Sequence, residues 1–442
     1  MNRTIDINPM PMAQVVDYPT SSSQHSRKVS ASDARSTKSQ STKSQSAKPQ
    51  STESLSAKPD ILQDFLRFPF RLNFLLSALC AILVASIWPM VAIGIYPFQV
   101  DPITLHAYGF LNSVGGAGFA GFILTAIPEW THDNRSLIPY SSALLICWLL
   151  GAVTSLFAPA IASLAFFIFW LALGAIATHF ALRARNSKII SIIILLCSVA
   201  ILNLCYLYQP SLFWLEQIAH IFMAGVALIT FRIGNSIGNK ALEGSAFAEC
   251  RFVPNPFYRN LSVWFIYLYV ASQIFMDDAM SSAWMSVAVG LSMLGRLRDW
   301  HYPIMFKKYY IRWFYLTLAT IGIGYVWLGA SSLLGLHTAT AAFHLILIGG
   351  FLLMMMQVFS IAGVSHSSLD LFFPLVSRLG LACIIAAALS RSFGTLSQSY
   401  YVLFVFYLPA TLIALAFAMY IPVFYRIFRN NPGAQVTPRV KN

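Results

Sequence analysis

The chain has 442 residues, of which 57% are hydrophobic, 14% aromatic and only 10% charged. A soluble chain of this length needs more charge to cover its surface, whereas repeated apolar runs of ~20 residues suit membrane spans. The alternating segments of a transmembrane barrel are absent. The formal charge of +13 does not point to nucleic acid, because the basic residues sit in a tail and in short loops.

Residues 1–62 are polar and low in complexity, and from Ser36 they repeat a pentad: STKSQ, STKSQ, SAKPQ, STESL, SAKPD. Such a segment has nothing with which to build a core and reads as a disordered cytoplasmic tail. Attraction of its lysines to anionic lipid is the sharper alternative. No apolar run follows the start, so it does not read as a signal peptide. Residues 63–430 read as one all-α, polytopic membrane domain, and 431–442 as a short cytoplasmic tail.

Hydropathy predicts twelve spans, near 73–95, 106–127, 140–157, 160–181, 188–208, 212–233, 261–277, 281–298, 311–331, 338–363, 374–392 and 400–425. Charge alternates between the loops. Arg67 and Arg71 precede span 1, and Arg183, Arg185 and Lys188 follow span 4. Arg232, Lys240, Arg251 and Arg259 follow span 6, while Arg296, Arg298, Lys307, Lys308 and Arg312 follow span 8. Arg426 and Arg429 follow span 12. The opposite loops carry Asp101, Glu216, Asp277 and Asp278, with Arg391 the one misfit. This pattern places both termini in the cytoplasm. The six cysteines (Cys80, Cys147, Cys197, Cys205, Cys250 and Cys383) show no CxxC spacing and make no case for disulfides or zinc.

Orientation sorts the intramembrane polar groups by depth. Span 2 starts outside, so His106 sits at the outer surface. Span 6 starts outside and carries Glu216 and His220 four residues apart on one face, a spacing that predicts a hydrogen bond between them. Span 10 starts outside, with His337 at its boundary and His344 ~9 Å in. His366 ends that span 22 residues later, ~33 Å along a straight helix, so it cannot share an ion with His344. His132 and His301 sit at the other boundary. Ionisable groups in a bilayer are costly and usually functional, and imidazole ligates haem iron and copper.

Span 2 also carries Ser113, Gly115, Gly116, Ala117, Gly118, Ala120 and Gly121. Small residues let helices approach closely in lipid. The sharper reading lays a flat macrocycle against this smooth face. In span 10, Met354, Met355 and Met356 point in three directions and read as gap fillers.

The blocks LHAYGF and AGFILTAIPEWTH of span 2, and FHLILIGGFLLMMMQVFSIAGVSHSS of span 10, resemble the NnrS family. That family comprises polytopic proteins that bind haem and copper and are associated with nitric oxide metabolism and nitrosative stress in denitrifying and related bacteria. His106 matches its first span-2 histidine, and His344 and His366 match its span-10 pair. The family's second span-2 histidine is Tyr108 here, its glutamate is Gly109, and its span-5 histidine is replaced near Tyr206 or Leu207. The resemblance implies twelve helices and a haem b site held by His106 and His344 in the outer half of the membrane. Gly118 and Tyr108 would lie beside the ring, and His366 and His220 would be further metal candidates. With fewer ligands left, copper is implied less than haem. Lipid and a small neutral gas such as NO are the implied partners. The alternative is a cofactor-free transporter or scaffold that kept the fold.

Overall fold

The computed structural model describes Val15–Val16 and residues 61–133, 135–185, 189–243, 245–276 and 278–431. The expected tail, residues 1–62, lies outside the described residues except at Val15–Val16 and from Ile61 on. The C-terminal tail lies outside them from residue 432.

Among the described residues, twelve long helices fall on the hydropathy segments. They are α1 (Pro69–Ala92), α2 (Pro102–Thr131), α3 (Ile138–Thr154), α4 (Pro159–Ala184), α5 (Ile190–Tyr208) and α6 (Leu212–Leu242). The second half comprises α7 (Pro256–Phe275) and α8 (Ala279–Gly295), then α9 (Tyr309–Leu333), α10 (Ala339–Ser365), α11 (Leu375–Leu396) and α12 (Leu403–Asn430). Among the described residues, nine of these are long and apolar enough to cross a membrane. The other three are α3 and α8, of 17 residues each, and α7, whose first turns carry Arg259 and Asn260. The chain is thus an all-α polytopic membrane protein. The one strand pairing among the described residues is a two-residue antiparallel contact of Val15–Val16 with Arg251–Phe252.

Helices adjacent in sequence pack side by side, and α12 returns to pack on α1. Three helices stand apart from the rest. The apolar stretches of α2, α6 and α10 are 83, 78 and 89% buried, against 39–56% for the other six long spans. They form the centre, every fourth helix in the chain, and they are the ones that carry His106, Glu216 with His220, and His344. Small residues make this centre possible. A side chain at Gly115 would strike Phe222 of α6, and one at Gly350 would strike Ile321 of α9.

The seam between α1 and α12 is closed by Arg71, which is fully buried. Its guanidinium pairs with Asp64 of a short helix, Ile61–Arg67, and donates to the carbonyls of Phe428 (3.1 Å) and Asn431 (2.7 Å). A planar fork of five donors spread over three nitrogens serves these three acceptors in a geometry that the single nitrogen of an ammonium does not match. Arg71→Ala leaves Asp64 and two carbonyls without their donor and is expected to cost about 3–5 kcal/mol. Arg71→Lys should recover only part of that. Thermal unfolding of the purified protein in detergent checks this, and unchanged midpoints would refute it.

Candidate functional site

Three helices widen into π turns at one level of the bundle: Gly109–Gly115 in α2, Leu347–Leu352 in α10 and Leu403–Tyr407 in α12. A wide turn aims its carbonyls away from the helix's own ladder, and such turns recur at functional sites. Here a neighbour supplies each missing donor. Trp148 Nε1 of α3 donates to the Ser113 carbonyl (2.9 Å), and Ser77 Oγ of α1 to the Val114 carbonyl (2.7 Å). Thr320 Oγ1 of α9 donates to Gly349 (2.5 Å), and Ser390 Oγ of α11 to Phe404 (2.7 Å).

The three π turns border a cavity of about 550 Å³, within the ~300–1,000 Å³ range of small-molecule sites. It lies at the end of the bundle remote from the Arg71 seam. Its walls are mostly apolar, with Trp88, Phe110, Phe343, Phe351 and Phe406 the largest rings. The polar groups on its walls include His106, Glu216, His220, His344 and Arg391. His106 and His344 each stand three residues before a π turn, so corresponding stretches of two central helices deliver them to the same space.

The two imidazoles are held by different means. His344 Nδ1 lies 2.7 Å from the Thr340 carbonyl. A carbonyl only accepts, so Nδ1 carries the proton and Nε2 keeps its lone pair. The His106 ring has its Nδ1 buried without a hydrogen-bond partner. Aromatic rings hold it in place, with centroids 5.7 Å away at Trp88 and 5.0 Å at Phe110. One ring nitrogen fixed on a backbone carbonyl with the other free, as at His344, is how ligating histidines are oriented.

The remaining expected site residues go elsewhere. His220 lines the cavity, but its hydrogen-bond partner is Tyr325 and not Glu216: Nδ1 lies 2.8 Å from the Tyr325 hydroxyl. The i, i+4 pairing gave way because the ring is clamped by Tyr269 (4.8 Å) and Phe343 (5.2 Å). Tyr108 does not face the cavity. It is buried against Phe166 (5.7 Å) and Tyr206 (5.3 Å). Gly118 is also off the cavity, where an added side chain would meet Met355 and Phe359 of α10. The rest of the glycine face is likewise filled, with Gly116 against Phe169 and Trp148 and Gly121 against Asn73 and Phe74. Its small residues bring helices together and leave no open surface for a ring. Met354, Met355 and Met356 are all buried, as expected of gap fillers.

His366 lies at the far end of α10, with Nδ1 3.6 Å from Glu129 and its ring 5.5 Å from Phe70. Close by in sequence, Asp133 pairs with Arg135 (2.9 Å) and Arg183 (3.6 Å), and the Arg135 hydrogen bond holds that carboxyl below its usual range. Among the described residues, no three His, Cys, Asp or Glu side chains converge as an ion site. All six cysteines are free.

Sequence reasoning did not assign Arg391 to this site. The signal was present, since it was the one basic residue on the wrong side of the charge pattern. Tyr325 left no comparable trace, because a tyrosine in an aromatic-rich span is unremarkable.

The sequence model of the family described as NnrS protein matches residues 64–431. No curated protein matches the chain.

Tyr325→Phe removes the hydroxyl from a buried ring nitrogen and is expected to destabilise the protein by about 1–3 kcal/mol. Thermal unfolding in detergent measures it, and a variant as stable as the parent would show that His220 needs no partner.

Proposed function

The chain belongs to the NnrS family, and from that premise we propose that it is an integral membrane haem protein acting in nitric oxide metabolism or in protection against nitrosative stress. The observation that carries this reading is the cavity at the centre of the bundle. Two imidazoles from non-adjacent helices reach it, His344 tethered through Nδ1 to the Thr340 carbonyl and His106 with a buried ring nitrogen that has no partner.

A bare transition-metal ion draws most of its ligands from the protein. A porphyrin brings four nitrogens of its own and asks for one or two axial side chains. A site with two free imidazoles and no three-residue cluster suits the second case. His106 and His344 would hold haem b, and the apolar walls would cover its ring. When bound, it supplies an iron centre that takes a small neutral gas or an electron. The low-dielectric surroundings would tune that centre, and the Thr340 carbonyl fixes the His344 imidazole that would face it. Nitric oxide dissolves in lipid, so a site at membrane depth needs no polar channel.

Copper is not part of this proposal. Tyr108 and the Tyr206 region stand where the resemblance puts histidines, and these two tyrosine rings pack against each other at 5.3 Å. Two changes of ligand type in one place read as a single site given over to aromatic packing. The transporter alternative draws less support. Transporter sites form where helices unwind, whereas α2 and α10 pass the cavity as unbroken α and π turns.

Placement follows from charge. With all twelve helices spanning the inner membrane and the basic loops inside, both termini are cytoplasmic, the cavity opens in the outer half of the bilayer, and His366 lies at the inner face.

The full-length protein, purified after growth with ample iron, should show a Soret band. His344→Ala and His106→Ala should lose or displace it, and His366→Ala should keep it. A colourless parent protein would overturn the reading. A band untouched by either of the first two variants would overturn the ligand assignment.

A further inference from the structure

Arg391 is a cation in a predominantly apolar cavity. It sits near the end of α11 and lines the same space as His106 and His344. Its Nη1 is buried and unpartnered, and no hydrogen bond or ion pair to the guanidinium is found among the described residues. Burial of an unpaired charge is strongly disfavoured. Arg391 as a whole is half-buried, and the contrast with the two buried arginines is direct. Arg71 has Asp64 and two carbonyls, and Arg296 donates to Thr230 (2.8 Å). Glu216 lines the same cavity and is not paired with Arg391. The guanidinium is therefore a donor set without an acceptor, directed at a space that a ligand would fill.

We infer that Arg391 is the anion-binding residue of the cavity and receives a carboxylate of the group that occupies it. This inference rests on the haem reading above, under which the carboxylate is one of the two propionates of haem b. The match is chemical. Haem b is an apolar disc with anionic groups along one edge, and this cavity has mostly apolar walls, the imidazoles of His106 and His344, a third (His220) hydrogen-bonded to Tyr325, one carboxylate (Glu216) and one cation. A guanidinium binds a carboxylate through two parallel hydrogen bonds, so it fixes the in-plane rotation of the ring as well as its affinity. Axial imidazoles alone leave that rotation free.

The test compares haem b with its dimethyl ester, in which both carboxylates are masked, by titrating each into the full-length protein depleted of haem in detergent. The parent protein should bind haem b roughly tenfold or more tightly than the ester, the value expected of one charge-assisted pair. Arg391→Gln should lose that preference by weakening haem b alone, and Arg391→Lys should retain part of it. Unfolding midpoints of both variants identify any loss that is merely structural. If Arg391→Gln keeps the preference, or weakens both porphyrins equally, the role of Arg391 is overturned and the haem reading stands. If the parent takes up neither porphyrin, the haem reading fails, and the assignment of Arg391 fails with it.

Discussion

A helix that widens by one residue per turn inside a bilayer leaves carbonyl oxygens facing a medium that offers no hydrogen bonds. The cavity of this protein depends on that problem being solved three times at one depth. In α2, α10 and α12 the wide turns survive because Trp148, Ser77, Thr320 and Ser390 reach across from neighbouring helices and donate to the displaced carbonyls. The turns in α2 and α10 alter the register of the helix beyond the histidine that precedes each. The cavity is therefore a consequence of backbone geometry held by side chains in the surrounding ring, and its support is as specific as its lining.

The arrangement divides the work between helices. Central α2, α6 and α10 carry the imidazoles and are buried on nearly every side. The outer helices meet lipid with residues such as Leu83, Ile146, Trp264 and Phe275, all exposed, and contribute mainly donors and bulk toward the centre. The two ends of the bundle differ in electrostatic character. The end near the termini closes with paired charges: Arg71 with Asp64, Asp133 with Arg135 and Arg183, and Glu129 beside His366. The cavity end holds a guanidinium and a carboxylate that are not paired with each other. Charges that satisfy one another stabilise a fold, whereas charges left apart await something else.

Much of this was legible in the sequence because hydropathy and loop charge survive averaging. They located the helical segments, nine of which among the described residues are long and apolar enough to cross a membrane, and they grouped His106, His220 and His344, which line one cavity in the structure. What escaped depends on a single residue of register or on contacts between distant parts of the chain. A π turn adds one residue to a helix and changes no windowed average. His220 met Tyr325, 105 residues away, in place of the neighbour its spacing offered. The glycine face of α2 suited a flat ring as well as it suited a helix partner, and only the positions of Phe222, Met355 and Phe74 decide between them. Arg391 was visible as an exception, and the exception proved more informative than the rule it broke.

The return of α12 to α1 has a consequence for how the protein is made. Val405, Phe406, Pro409, Ala410 and Ile413 of α12 form one wall of the cavity, and Trp88 of α1 packs directly on Phe406 with ring centroids 5.1 Å apart. Synthesis proceeds from the N-terminus, so the nascent chain carries both imidazoles well before the space between them is enclosed. The enclosure is completed only when the last membrane segment has left the ribosome and docked against the first. Any occupant that needs every wall is therefore installed after α12 has been made and docked, and insertion into the bilayer precedes maturation of the site.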